Sequence, residues 1–128
     1  MKFTVKRSEW DRGNNSSWLL NPETCKKCCA GFQALAAGAS EEDISGIGTI
    51  CTLLEKQKQK QIQVPEGLTG MVSLYRDMAG NVDARALNTP IAHDIYFTND
   101  TKSLTDGLRE ARLKELFASI GHEITFID

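Results

Sequence analysis

Between Asn21 and Gly38 the apolar residues Cys25, Cys28, Cys29, Phe32, Leu35 and Ala36 fall at offsets of three, four, seven, ten and eleven, the spacing that lines one side of an α-helix. The pattern predicts a core helix over 21–38, with Asn21 capping its first turn, Pro22 at the first helical position and Gly38 as a left-handed stop. Gly31, Ala34 and Gly38 form a second row, small enough to let another backbone approach. Such a helix is expected to lie flat on a sheet.

Alternation supplies the strands. Lys2 to Arg7 places Phe3 and Val5 on one face, and Gly13, Asn14 and Asn15 suit a tight reversal into a second strand over Trp18 to Leu20. Ser40 and Asp43 form a capping box for a short turn that packs Ile44. The stretch from Ile50 to Lys60 is open: Ile50, Leu53 and Leu54 fit a helix, while the lysine and glutamine run suits an exposed strand, ended by Pro65, Glu66 and Gly67. Met71 to Tyr75 and Val82 to Ala86 flank a turn and predict a second hairpin. Thr89 and Pro90 start a helix with Ile91, Ile95 and Tyr96 inward, ending near Thr98, with Asn99 and Asp100 as the following turn.

Thr105 caps the last helix, Leu113, Leu116, Phe117 and Ile120 form its stripe, and Gly121 closes it. On its polar side Glu110 and Lys114 have the favourable i,i+4 order. Ile124 and Phe126 then alternate in a terminal strand. The expected architecture is a single globular α+β domain over 1–128. Its small, mainly antiparallel sheet pairs the N- and C-terminal strands beneath two principal helices, the cysteine helix and the C-terminal one.

Composition narrows the class. A chain of 128 residues suits one core and removes roughly two-thirds of its unfolded surface from water. Its 41% hydrophobic and 25% charged residues exclude a disordered chain. A formal charge of −2 predicts no general affinity for nucleic acid. No run approaches the roughly 20 apolar residues of a membrane span, and the first residues lack the apolar region of a secretory signal. A cytoplasmic protein with free thiols is expected, because adjacent Cys28 and Cys29 do not resemble a secreted disulfide framework.

The clearest candidate chemistry is C-K-K-C-C at Cys25, Cys28 and Cys29. A C-x-x-C pair can hold Zn²⁺, and a helix N-terminus would lower the thiol pKa and favour the thiolate. The remaining ligands would come from Cys29, Cys51, His93 and His122, which form no second C-x-x-C and no H-x-x-x-H. All three clustered cysteines lie on the apolar stripe, where a reduced cysteine serves as a small hydrophobe. Core packing is therefore preferred over metal or redox work, and neither a metal nor a cofactor is expected. A cysteine–histidine catalytic pair would need His93 or His122, each of which has an ordinary helical explanation.

Two groups are candidate binding residues. Lys56, Lys58 and Lys60 would share a side if extended and meet phosphates, but no aromatic residue interleaves with them, so a solvated face is preferred. Trp10 and Arg12 are residue types favoured as binding anchors. The plainer reading puts Trp10 at the sheet edge, with Arg12 stacked on it or paired with Glu9 or Asp11.

Several pieces together resemble a group of small accessory proteins carried by tailed bacteriophages and prophages. They are W-D-R-G at Trp10 to Gly13, L-L-N-P at Leu19 to Pro22, C-C-A-G-F-Q-A-L-A-A-G at Cys28 to Gly38, N-D at Asn99 and Asp100, and L-T-D-G-L-R-E-A-R-L-K-E-L-F at Leu104 to Phe117. The stretch from about Gly48 to Ala86 departs from that pattern. The resemblance implies a phage or mobile-element accessory protein and carries over no catalytic residue. Without a coherent catalytic set, the expectation is a non-enzymatic protein that binds a host protein or complex, in the role of blunting a bacterial defence. One alternative is a binder of a small nucleotide signal, with a pocket at Trp10, Arg12 or Lys56. The other is a cysteine-dependent zinc or redox protein.

Overall fold

Phe3 and Val5 are buried from β1 (Lys2–Lys6), and Ile124 and Phe126 from β2 (Glu123–Ile127), as the alternation predicts. In the computed structural model, which describes residues 1–15, 17–60 and 90–128, the two strands pair in the register Lys2 with Glu123 through Lys6 with Ile127. They run parallel, which corrects the expected antiparallel sheet. Alternation determines which side chains face inward but carries no information about direction. Parallel neighbours need a long crossover, and here the whole chain between the strands serves as one. The expected hairpin return over Trp18 to Leu20 is not a strand: Trp10 bridges Lys27 and Leu20 bridges Ser45 as single pairs, and Trp18 is exposed.

The cysteine helix is shorter than its apolar spacing implies. α1 spans Cys29–Ala36, with Cys28 as its N-cap. Asn21 does cap, but it caps a separate turn: its Oδ1 accepts from the N–H groups of Glu23 and Thr24, and its carbonyl accepts from Cys25. Lys27 then donates its N–H to Glu9 and accepts from Asp11, which holds the chain extended before the helix can begin. Cys25 therefore leaves the stripe and is exposed, at φ +58°. At the other end Gly38 takes φ +107°, and Ala39 N–H reaches Ala34 O while Gly38 N–H reaches Leu35 O, the paired bonds of a Schellman stop.

α2 (Glu41–Ile44) carries the expected Ser40–Asp43 capping box and buries Ile44. The ambiguous stretch is helical: Thr49 caps α3 (Ile50–Gln59) by accepting from Thr52 N–H. α4 (Pro90–Asp100) continues through Asn99 and Asp100, so the expected end near Thr98 and the turn after it are corrected. Thr105 accepts from Leu108 N–H to start α5 (Asp106–Ser119), and Gly121, at φ +79°, turns the chain into β2. The expected turn at Pro65–Gly67, the hairpin of Met71–Tyr75 with Val82–Ala86, and Thr89 lie outside the described residues.

α1 packs on β1, α5 on β2 and α4 on α5. Burial covers α1 on more than one side: Cys28, Ala30 and Ala34 belong to a cluster with Leu19, Ile44, Ile50 and Leu53, while Cys29 and Phe32 join Phe3, Val5, Trp10, Leu113 and Phe117. The helix thus divides two apolar clusters, where a single stripe was expected to face one sheet. No helix among the described residues is long and apolar enough to cross a membrane.

Candidate functional site

Trp10 to Asn15 leaves the short 3₁₀ turn Arg7–Glu9 and wraps the C-terminal end of α4. A helix end presents carbonyls with no intrahelical partner, and here the wrapping loop supplies partners. Gly13 N–H donates to Asn99 O at 2.8 Å, and Asn15 N–H to Asp100 O at 2.9 Å. Arg109, reaching across from α5 and only 2% exposed, donates Nε–H to Thr98 O, Nη2–H to Thr101 O and Leu104 O, and Nη1–H to Asp106. Gly13 sits directly against this guanidinium: a Cβ there would lie 3.0 Å from Arg109 Nη2, at a φ of +67°.

Asn99 is the centre of this polar knot and is fully buried. Its Oδ1 accepts from Trp10 Nε1 at 2.8 Å and from Cys29 N–H at 3.1 Å. Its Nδ2 donates to Asp11 O, Ser17 Oγ and Asp100 Oδ1. One side chain therefore ties together the loop, the first residue of α1 and the end of α4. Asp11 lies beside it, its pKa raised by burial and by Asp100.

Trp10 is 1% exposed and packs on Phe126 at 4.9 Å. The Arg12 guanidinium stands 4.6 Å from the Trp10 ring centroid, which realises the plainer stacking expectation. Its carboxylate partner differs from the expected Glu9 or Asp11: Nε and Nη2 grip Asp106 at 3.0 and 2.7 Å, which lowers the Asp106 pKa. Glu9 instead pairs with Lys6 and Lys27. Trp10 is buried, and the Arg12 donors are spent on Asp106 and on the carbonyls of Arg7 and Trp10.

Burial decides the cysteine chemistry. It pushes the Cys28 thiol up to about 12 and the Cys29 thiol well above its ordinary value, overriding the lowering expected from a helix N-terminus. Both thiols are closed off from solvent inside the fold. Among the described residues no three of His, Cys, Asp and Glu are grouped to hold a metal ion. His122 meets Gln33 across 3.0 Å, its pKa lowered first by burial, and exposed His93 stacks on Phe97 beside Asp94.

Because α3 is helical, Lys56, Lys58 and Lys60 do not form one row. Steps of about 100° per residue set Lys56 and Lys60 on one side and Lys58 away from them. Lys56 and Lys60 border a cleft of about 380 Å³ together with Glu42 and Asp43, a wall of mixed sign.

Asn99 and Arg109 were not among the candidate residues, although the sequence carried a signal for each. Asn99 follows Ile91 and Ile95 at the same spacing of four, and Arg109 precedes Leu113 by four and Leu116 by seven, so both polar residues lie on apolar stripes. Such residues are buried with partners. The exposed apolar side chains Phe97 and Leu108 were also missed. Compared with protein-family models, curated proteins and solved structures, the chain matches none.

Proposed function

We propose that the protein is a non-enzymatic accessory protein of a phage or mobile element, acting in the host cytoplasm by binding a host protein that takes part in defence. The observation that carries the binding role is an apolar ridge. Phe97 on α4 is 61% exposed and Leu108 on α5 is 62% exposed, and both line one cleft of about 460 Å³ rimmed by Asp94 and Arg112. A single exposed leucine is ordinary. Two large apolar side chains from different helices in one concavity with a charged rim have the composition of a contact surface. Cys28, Cys29 and Cys51 are buried and His122 meets Gln33, and the net charge of −2 favours a protein over a nucleic acid as partner. The phage assignment is supported by the motif resemblance, several of whose pieces meet at the knot around Asn99.

The test is capture from bacterial lysate by tagged wild type and by the double variant Phe97→Asp with Leu108→Asp, followed by binding measurements with the purified captured protein. Both positions are exposed, so the double variant is expected to fold with a stability change near the ordinary surface range of about 0.5 kcal/mol per site. Wild type is expected to retain a host protein whose affinity falls at least about tenfold in the double variant. No retained protein beyond the tag control, or equal binding by a folded double variant, overturns the reading.

A further inference from the structure

Among the described residues β2 has a neighbour on one side only. Glu123, paired with Lys2, donates its N–H to Met1 O at 2.9 Å. In a parallel ladder alternate residues bond the same neighbour, so Glu123, Thr125 and Ile127 address β1, while the N–H and C=O groups of Ile124 and Phe126 point to the opposite edge. No partner for those four groups exists among the described residues. Edges of this kind accept additional strands.

The helical layer leaves room for one. α1 covers β1 and α5 covers β2, yet packed helices are about 10 Å wide and paired strands only about 4.8 Å apart. A cleft of about 670 Å³ includes Lys114 and Ala118 of α5 and Ile124 and Phe126 of β2, and runs on to Met1 and Lys2 of the N-terminus. A five-residue strand at ordinary spacing, with packing about 10 Å deep, fills roughly 800 Å³, the same order of size.

The cleft also has a charge preference. Lys114 was expected to pair with Glu110, but Arg7 grips both Glu110 oxygens at 2.7 and 2.9 Å. Lys114 instead lies 6.0 Å from the Phe126 ring centroid, and no carboxylate partner for it exists among the described residues. The acid at the cleft, Glu123, is held by Lys2 at 3.1 Å. Lys114 and Ala118 stand one helical turn apart on the same face of α5, as Phe126 and Ile124 stand two apart on β2.

We propose that this cleft is a strand-docking site: an extended segment of a partner protein pairs with the backbone of Ile124 and Phe126, setting a small apolar side chain over Ala118 and, two residues away, a carboxylate beside Lys114. This is peptide recognition by strand addition, at a surface distinct from the Phe97–Leu108 ridge.

The probe is a capped pentapeptide of threonines with valine second and glutamate fourth, titrated into the ¹⁵N-labelled full chain. Amide shifts and slowed hydrogen exchange are expected at Ile124 and Phe126, with little change in exchange at Glu123 and Thr125. Replacing the peptide glutamate by lysine is expected to weaken binding about fivefold, and Lys114→Glu is expected to invert that preference. The Phe97→Asp, Leu108→Asp chain is expected to bind the peptide as wild type does, so this site stands or falls separately from the ridge. The proposal is overturned by no response at Ile124 and Phe126, by an unchanged charge preference in Lys114→Glu, by loss of binding in the ridge variant, or by self-association through β2 without peptide.

Discussion

Replacing Asn99 by alanine is expected to lower the unfolding free energy by about 4 kcal/mol, since each buried polar group left unpaired costs about 1–3 kcal/mol. The substitution strands Trp10 Nε1–H and the Cys29 N–H, both of which use the same Oδ1. It also removes donors from Asp11 O, Ser17 Oγ and Asp100 Oδ1. Water cannot readily replace Oδ1, because Trp10 and Cys29 are as buried as Asn99. Urea unfolding measures the loss. A double-mutant cycle with Trp10→Phe, which deletes the donor, assigns it, with an expected coupling of about 1 kcal/mol or more. A loss below about 1 kcal/mol, or strictly additive effects, would show that the knot does not hold the loop to α1 and α4.

Gly31→Ala is expected to be comparably damaging, although alanine is the better helix former by about 1 kcal/mol. A Cβ at Gly31 would lie 1.9 Å from Leu19 O and 2.8 Å from Leu19 C. These are backbone atoms, so no rotamer change relieves the clash. The Leu19 segment cannot easily retreat either: Leu19 N–H is bonded to Ile47 O and Trp18 O to the Cys28 N–H. Separating α1 from this strand-like stretch opens the cluster around Leu19, Ala30 and Ile44. The expected cost is about 3 kcal/mol, or roughly 10 °C in Tm for a chain of this length. Gly107→Ala is the control. Nothing lies within 4 Å of a Cβ there, so helix propensity alone acts and Tm is expected to hold or rise slightly. Equal melting of Gly31→Ala and wild type would contradict the close approach.

The two glycine positions show how far local patterns reach. The small-residue row correctly marked Gly31 as a place of close approach, and alternation correctly placed Phe3, Val5, Ile124 and Phe126 on the inner face. Caps at Ser40 and Thr105 were readable because they act within one turn. What could not be read depended on distant partners. Asn21 and Pro22 make a good local helix start, but the bridge between Trp10 and Lys27 holds the following residues extended and delays α1 to Cys29. Strand direction likewise has no local signature. Within the site, Trp10 and Arg12 drew attention by residue type, whereas their partners Asn99 and Asp106 stand far along the chain. The polar residues at 99 and 109 interrupt apolar stripes, and that interruption was the available sign of burial with a purpose.

The function proposed here depends on Cys28, Cys29 and Cys51 serving as core packing. Brief alkylation of the native protein, with each cysteine located by mass mapping, tests this directly. Exposed Cys25 is expected to react at once, while Cys28, Cys29 and Cys51, all buried, react only as fast as the molecule unfolds. Prompt modification of Cys28 or Cys29 in the folded protein would contradict it and place reactive sulfur at the head of α1.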